Sequence, residues 1–333
     1  MSLCMLQEEI EKIGKCTEGS SETVKIEVLV AIMNIIILET LEASSNDWQV
    51  HLRAGMTLLI SMIPNDLIPN DEAVNQRTLA NTIYNSAKVE TPRMTSITFC
   101  SAAQSFLANI FVWFDALSSA LFWDNREELD YTTILACYQV NITSPFGCKN
   151  WVVAAIGKTN QLRRWKVLMA NQGSLSNILL ATRVSEVEQF IRAHLSSQES
   201  FLTPYDAFDL STHIFAQASI VYLHVVASGP YPDVPEIRDS VESCLAHVRL
   251  TPGLLTSFWL AWPVCIIGCM AAKDLRKSFE EVLEGRDISH HGNFGFTNAL
   301  AVMRDCWRLR DLNIYPADWT SSMRSLGYTF LLI

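Results

Sequence analysis

Lys273 closes an apolar run that begins at Leu254 (LLTSFWLAWPVCIIGCMAAK), and a lone cation in that position is placed to do chemistry. At the C-terminus of a buried helix a lysine is favoured by the helix dipole, and it can hold an anion at the mouth of an apolar cavity. Asp115 is the second candidate. Inside FVWFDALSSAL it has aromatic neighbours on both sides, where a carboxylate must be capped, paired or bound to a metal. Mg2+ takes oxygen ligands and keeps several waters, so Asp115 with Ser119 one turn on forms a candidate ligand pair, which Asp47 or Asp124 could complete. Arg53 in NDWQVHLRAG could clamp two anionic oxygens. Met270, Cys269 and Ile266 precede Lys273 closely enough to shape a pocket, and Trp113, Trp262 and Phe258 offer aromatic faces that attract cations.

Each of these has a plainer role beside it. Lys273 could snorkel to water from the end of a core helix. Asp115 could be a structural carboxylate, Arg53 could pair with Glu39 or Glu42, and the aromatic residues could simply pack. The acidic stretch WDNREELD (Trp123 to Asp130) has the composition of a solvated loop. GKT at Gly157–Thr159 lacks the upstream glycine of a phosphate-binding loop, and His290 and His291 have no acid or cysteine at metal spacing. His213, His224 and His247 fall in separate helices with no paired nucleophile, as core or rim residues do.

The elements that must position these groups are helical. Of 333 residues, 49% are apolar and 18% charged, enough for a large core, while 13 glycines and 11 prolines disfavour a turn-rich β architecture. Apolar periodicity predicts helices over Val24–Glu42, Asp47–Ile63, Ser101–Phe122, Asn150–Met169, Leu175–Leu195, Ala207–Ala227, Asp233–Val248, Leu254–Lys273, Asp274–Gly285 and Asn298–Leu309. The segment from Asp124 to Lys149 is expected as an extended surface connection, and SGPYPDVP (Ser228 to Pro235) as a turn. Strand signals are nearly absent. The expectation is an all-α protein with an N-terminal segment over 1–23 and one helical domain over 24–333.

A formal charge of −10 argues against nucleic acid as the main partner. Nine scattered cysteines with no CxxC pair are expected as reduced core thiols, and a cytoplasmic location follows as an expectation. The N-terminus is too acidic for a secretory signal. No membrane span is expected: Val28–Leu38 is too short and holds Asn34, and Pro263 interrupts the run from Leu254, which is expected to be a buried helix.

In order along the chain, SSNDWQVHLRAGMTLL, FVWFDALSSAL, GCKNWVVAAIGKTNQLRRWK, SIVYLHVVASGP, FWLAWPVCIIGC and NALAVMRDCWRLRD with ADW resemble the regulatory domain of fungal zinc-cluster transcription factors. The resemblance covers about residues 25 to 327, without a cysteine-rich zinc cluster or basic linker. It also extends to the humulene synthases of fungal tropolone-sesquiterpenoid pathways, cyclases that are similar to this domain and lack the zinc cluster. That second likeness implies a magnesium-dependent sesquiterpene cyclase acting on farnesyl diphosphate. Lys273 would then hold the diphosphate, Asp115 the metal, and the aromatic wall the carbocation. The aspartate-rich and Asn/Ser/Glu motifs of ordinary cyclases are not cleanly present: an acid is wanted at position 123, where Trp123 stands. The alternative is a non-catalytic regulatory or ligand-binding module. A homo-oligomer is compatible with either.

Overall fold

The computed structural model describes residues 18–42, 47–62, 102–122, 131, 134–135, 140–196, 207–250, 258–284, 294–327 and 329–332. Among the described residues every regular element is helical. They are α1 (Glu18–Glu42), α2 (Trp48–Ile60), α3 (Ala102–Leu121), the single turn α4 (Thr143–Phe146), α5 (Asn150–Asn171), α6 (Asn177–Ser196), α7 (Ala207–Ser228), α8 (Pro235–Leu250), a 3-10 turn (Phe258–Leu260), α9 (Ala261–Cys269), α10 (Arg276–Glu284), α11 (Phe294–Asp311) and α12 (Trp319–Leu326).

The sequence of α7 is apolar around nearly its whole circumference, and a helix of that kind must be enclosed. It is: α5, α6, α8 and α9 all pack on it. By length and composition α7 could cross a membrane from Phe208 to Ser228, but 83% of that window is buried inside the protein. Its neighbour α6 shows the opposite pattern. Only Val184, Val187, Ile191 and Leu195 are buried, a three-and-four spacing that gives one apolar stripe to the core and the rest to water. Helices α1, α2 and α3 pack together, and so do α9, α11 and α12. At Gly268 of α9 the end of the Met303 side chain from α11 occupies the space a Cβ would take.

Three expectations change. The run from Leu254 to Lys273 is not one long helix: its described part is the 3-10 turn, the nine residues of α9, all nine of them buried, and four non-helical residues over 270–273. Pro263 occupies the first turn of α9 rather than its middle, where its missing N–H costs nothing because first-turn amides have no intrahelical partner. Lys273 therefore lies four residues beyond the end of α9. The segment from Asp124 to Lys149 is not a surface connection in its described part, since Tyr131, Ile134, Val140, Ile142, Phe146 and Cys148 are buried. Asn150 pins it, donating to the Val140 carbonyl at 2.5 Å and accepting from the Ile142 amide at 3.0 Å. Finally, α12 follows the last expected helix and starts at a capping box, in which Asp318 accepts from the Ser321 amide at 2.7 Å.

Candidate functional site

Asp115 sits on α3, buried, and its Oδ2 accepts the phenol hydrogen of Tyr131 at 2.6 Å. One turn on, the Ser119 hydroxyl donates to the Ala116 carbonyl at 2.7 Å and accepts from the Asn160 side chain at 2.6 Å. Asn160, on α5, accepts in turn from the Tyr222 hydroxyl of α7 at 2.5 Å. Arg163 donates to the Ser119 carbonyl at 3.0 Å. The last carbonyls of α3 are reached from α12, by the Trp319 indole to Ala120 at 3.1 Å and the Thr320 hydroxyl to Leu121 at 3.0 Å. A polar network thus ties α3, α5, α7 and α12 together through the apolar interior. Its members hydrogen-bond one another, which is how polar groups are tolerated in a low dielectric.

The second polar centre lies at the end of α9. The Arg310 guanidinium, from α11, donates to the Cys269 carbonyl at 2.9 Å and to the Ala317 carbonyl at 3.1 Å. The Trp307 indole donates to the Gly268 carbonyl at 2.9 Å. The cation that serves the C-terminus of this apolar helix is therefore Arg310, whereas Lys273 is exposed. Burial drives the thiols of Cys269 and Cys306 well above the ordinary cysteine range, so they stay protonated beside Arg310. Cys148, Cys244, Cys265, Cys269 and Cys306 are all free and buried.

The other expected residues fall in different places. Met270, Cys269 and Ile266 are fully buried. Trp113 and Trp262 meet through Phe215, at centroid distances of 5.0 and 6.0 Å, and Trp113 also stacks on Phe146 at 5.1 Å. The side chain of Phe258 and all of Asp124 lie outside the described residues. Arg53 is exposed on α2, and Asp47 is exposed at its start without a side-chain capping bond. His51 pairs with Glu39 at 3.2 Å. Among the described residues no three His, Cys, Asp or Glu side chains form a group that could hold a metal ion.

Among the described residues, histidine comes together with histidine once. His213 of α7 and His247 of α8 have ring centroids 4.2 Å apart. Gln217 meets the Nε2 of His213 at 3.2 Å, and the Nδ1 of His247 meets the Ser243 carbonyl at 2.7 Å. Burial first, and then the neighbouring His247, pull the pKa of His213 down to about 4, so its ring is neutral at physiological pH.

Sequence reasoning passed over Arg310 and Asn160. Arg310 carried one signal, a basic last turn on a helix ending in RLRD. Asn160 and Tyr222 are 62 positions apart in the chain, and no local pattern announces their contact.

Comparison with known proteins completes the description. The family model described as "Fungal specific transcription factor domain" matches residues 1–333. The trichothecene biosynthesis transcription regulator of Fusarium sporotrichioides is 28% identical, with 91% of this chain and 72% of that protein covered. Its counterpart from Trichoderma arundinaceum is 25% identical, with 92% and 74% covered. The ustiloxin B cluster transcription factor of Aspergillus flavus is 25% identical over all of this chain and 59% of its own length. No solved structure gives a significant match.

These matches overturn the enzyme reading. A terpene cyclase, a lyase of farnesyl diphosphate, is not what the family or its named regulators are. Farnesyl diphosphate is withdrawn as a partner, and so is the exclusion of a role connected with DNA. The transcription-factor half of the resemblance stands, and the humulene synthase half does not.

Proposed function

The chain belongs to the fungal specific transcription factor domain family, and from that premise we propose that it is the regulatory domain of a regulator controlling one biosynthetic gene cluster. The observation that carries this is the match of the family model over the whole chain, joined to relatives named as regulators of a biosynthesis or a cluster. The interior is consistent with a scaffold. Asp115, Asn160 and Arg310 all bond to groups of the protein itself, and they hold helices together. With a formal charge of −10 this domain is not the part that grips the phosphate backbone. It sets the activity of a DNA-reading domain or partner, and it works in the nucleus rather than the cytoplasm.

The test is deletion of the gene in its own fungus, followed by transcript measurement under conditions that induce secondary metabolism. The transcripts of one contiguous set of biosynthetic genes should fall together and recover when the gene is restored. Unchanged transcripts in the deletion strain would overturn the proposal.

A further inference from the structure

Between Asp130 and Glu186 the sequence has no aspartate or glutamate and has six lysines and arginines, in a chain whose formal charge is −10. Most of that stretch folds into the antiparallel pair α5 and α6. The two helices leave large apolar side chains in water at the end where they join: Val167 is 45% exposed, Leu168 52%, Ile178 83% and Leu179 44%. Isolated exposed leucines need no explanation, but four at one end of one hairpin make a patch.

Cations stand one turn behind that patch on each helix. Arg164 precedes Leu168 by four residues and Arg183 follows Leu179 by four, the spacing that puts side chains on one helix face. Arg164 is exposed, and Arg183 lies over the Trp165 ring with its guanidinium carbon 4.3 Å from the centroid. The Nε of Arg183 is buried without a hydrogen-bond partner among the described residues. Two acids follow on α6: Glu186 is exposed three residues beyond Arg183, and Glu188 is engaged with Arg192 at 2.6 Å and His224 at 3.3 Å. Lys166 is turned away, its ammonium donating to the Val226 and Ala227 carbonyls at 2.8 and 2.9 Å.

We propose that this flank of the α5–α6 hairpin is a docking surface for an acidic amphipathic helix of a partner protein. Such a helix lays its apolar face over Leu168, Ile178 and Leu179 and directs its carboxylates to Arg164 and Arg183. Charge complementarity selects this occupant. A second copy of the same flank would set arginine against arginine. A lipid surface fits poorly, because the apex of the hairpin, NQGS from Asn171 to Ser174, is polar and exposed, and it would have to lose its water on insertion.

The surface follows from geometry and charge alone, so its test is independent of the transcript experiment. The whole chain is titrated against a fluorescent peptide of about 16 residues, long enough to hold a helix on contact, with leucines on one face and glutamates on the other. Binding should weaken with added salt and disappear when lysines replace the glutamates. Leu168→Ser with Ile178→Ser should lower the affinity about tenfold or more, a loss of about 1.4 kcal/mol. Both positions are exposed, and circular dichroism with thermal melting will confirm the fold of the variant. Equal binding of the lysine peptide, or no binding of the acidic one, overturns the proposal. Capture by phosphatidylserine vesicles in place of the peptide would overturn it in favour of a membrane surface. A dimer in sedimentation that the double variant dissolves would overturn it in favour of self-association.

Discussion

Helix α5 ends at Asn171 and helix α9 at Cys269, and the two ends dispose of their last carbonyls in opposite ways. At Asn171 the chain caps itself. The amides of Gln172, Gly173 and Ser174 turn back to the carbonyls of Leu168, Ala170 and Met169 at 3.1, 3.0 and 2.9 Å, with Gly173 at a φ of +66°. At Cys269 the backbone does part of the work, and Arg310 and Trp307 come from α11 to finish it. The difference follows from burial. An exposed end can use its own turn and water, and Arg164 one turn back stays exposed. A buried end has no water and must import donors, so its cation becomes structural. A cation beside an apolar helix is thus a candidate for function only when the helix has been capped by something else.

Removing Arg310 tests this most severely. Arg310→Ala strands the Cys269 and Ala317 carbonyls without their guanidinium, and unfolding in urea should show a loss of roughly 3 kcal/mol. Arg310→Lys should recover only part, because an ammonium cannot span both acceptors as a planar fork does. A loss under about 1 kcal/mol would mean that this end does not depend on its imported donor.

His213 is the counterpart of Arg310, a half-buried base held neutral instead of charged. Its pKa is pulled to about 4 by burial and by His247, against an unfolded value of about 6.5. The unfolded chain therefore binds the extra proton first. The stabilisation is complete above about pH 6.5 and is lost as the pH falls towards 4, on the order of 3 kcal/mol in all. Subtracting the stability profile of His213→Gln from that of the wild type should isolate this slope from the carboxylates. A flat difference would show that the ring is not kept neutral by the fold.

Asn160→Ala should cost about 2 kcal/mol, because it leaves the Tyr222 hydroxyl and the Ser119 oxygen without their partner. A double-mutant cycle with Tyr222→Phe should then be strongly non-additive, and additivity would deny that the network acts as a unit. At the self-capped end the effect shrinks. Gly173→Ala meets no neighbouring atom but must hold a positive φ, so about 1 kcal/mol is expected from thermal unfolding. A larger loss would place tertiary contacts at an end described as local.

What was legible in the sequence divides along the same line. The all-α class, α5 and α7 were readable because helical periodicity is a property of neighbours in the chain, and the ordered landmarks pointed to the family. Arg310 and Cys269 are 41 positions apart, and nothing near either residue announces the other. Pro263 misled in a specific way: its chemistry stops a helix in the middle and suits one at the start, and only the structure says which. The absence of acids between Asp130 and Glu186 was visible as charge, but the exposure of Ile178 beside it was not. The enzyme reading was overturned by the family and its named regulators. Lys273 stood out at the end of an apolar run, and the structure shows it exposed while Arg310 serves the helix that the run contains.

The smallest expected effect is the sharpest check on that last point. Lys273 is exposed, four residues past Cys269, and no hydrogen bond of its ammonium enters the capping of α9. Its influence reaches Asp311, whose carboxyl is held below the usual range first by the hydrogen bond from Arg276, with Lys273 a minor contributor through charge. Lys273→Ala should therefore change stability by less than about 0.5 kcal/mol, as surface substitutions do. Lys273 lies four residues past Cys269, whose carbonyl Arg310 serves, so a shared task would be felt. In a cycle with Arg310→Ala, the two losses should add within about 0.5 kcal/mol if Arg310 alone holds the helix end. A coupling well above that would mean Lys273 replaces the missing guanidinium, and the two helix ends would then differ in degree rather than in kind.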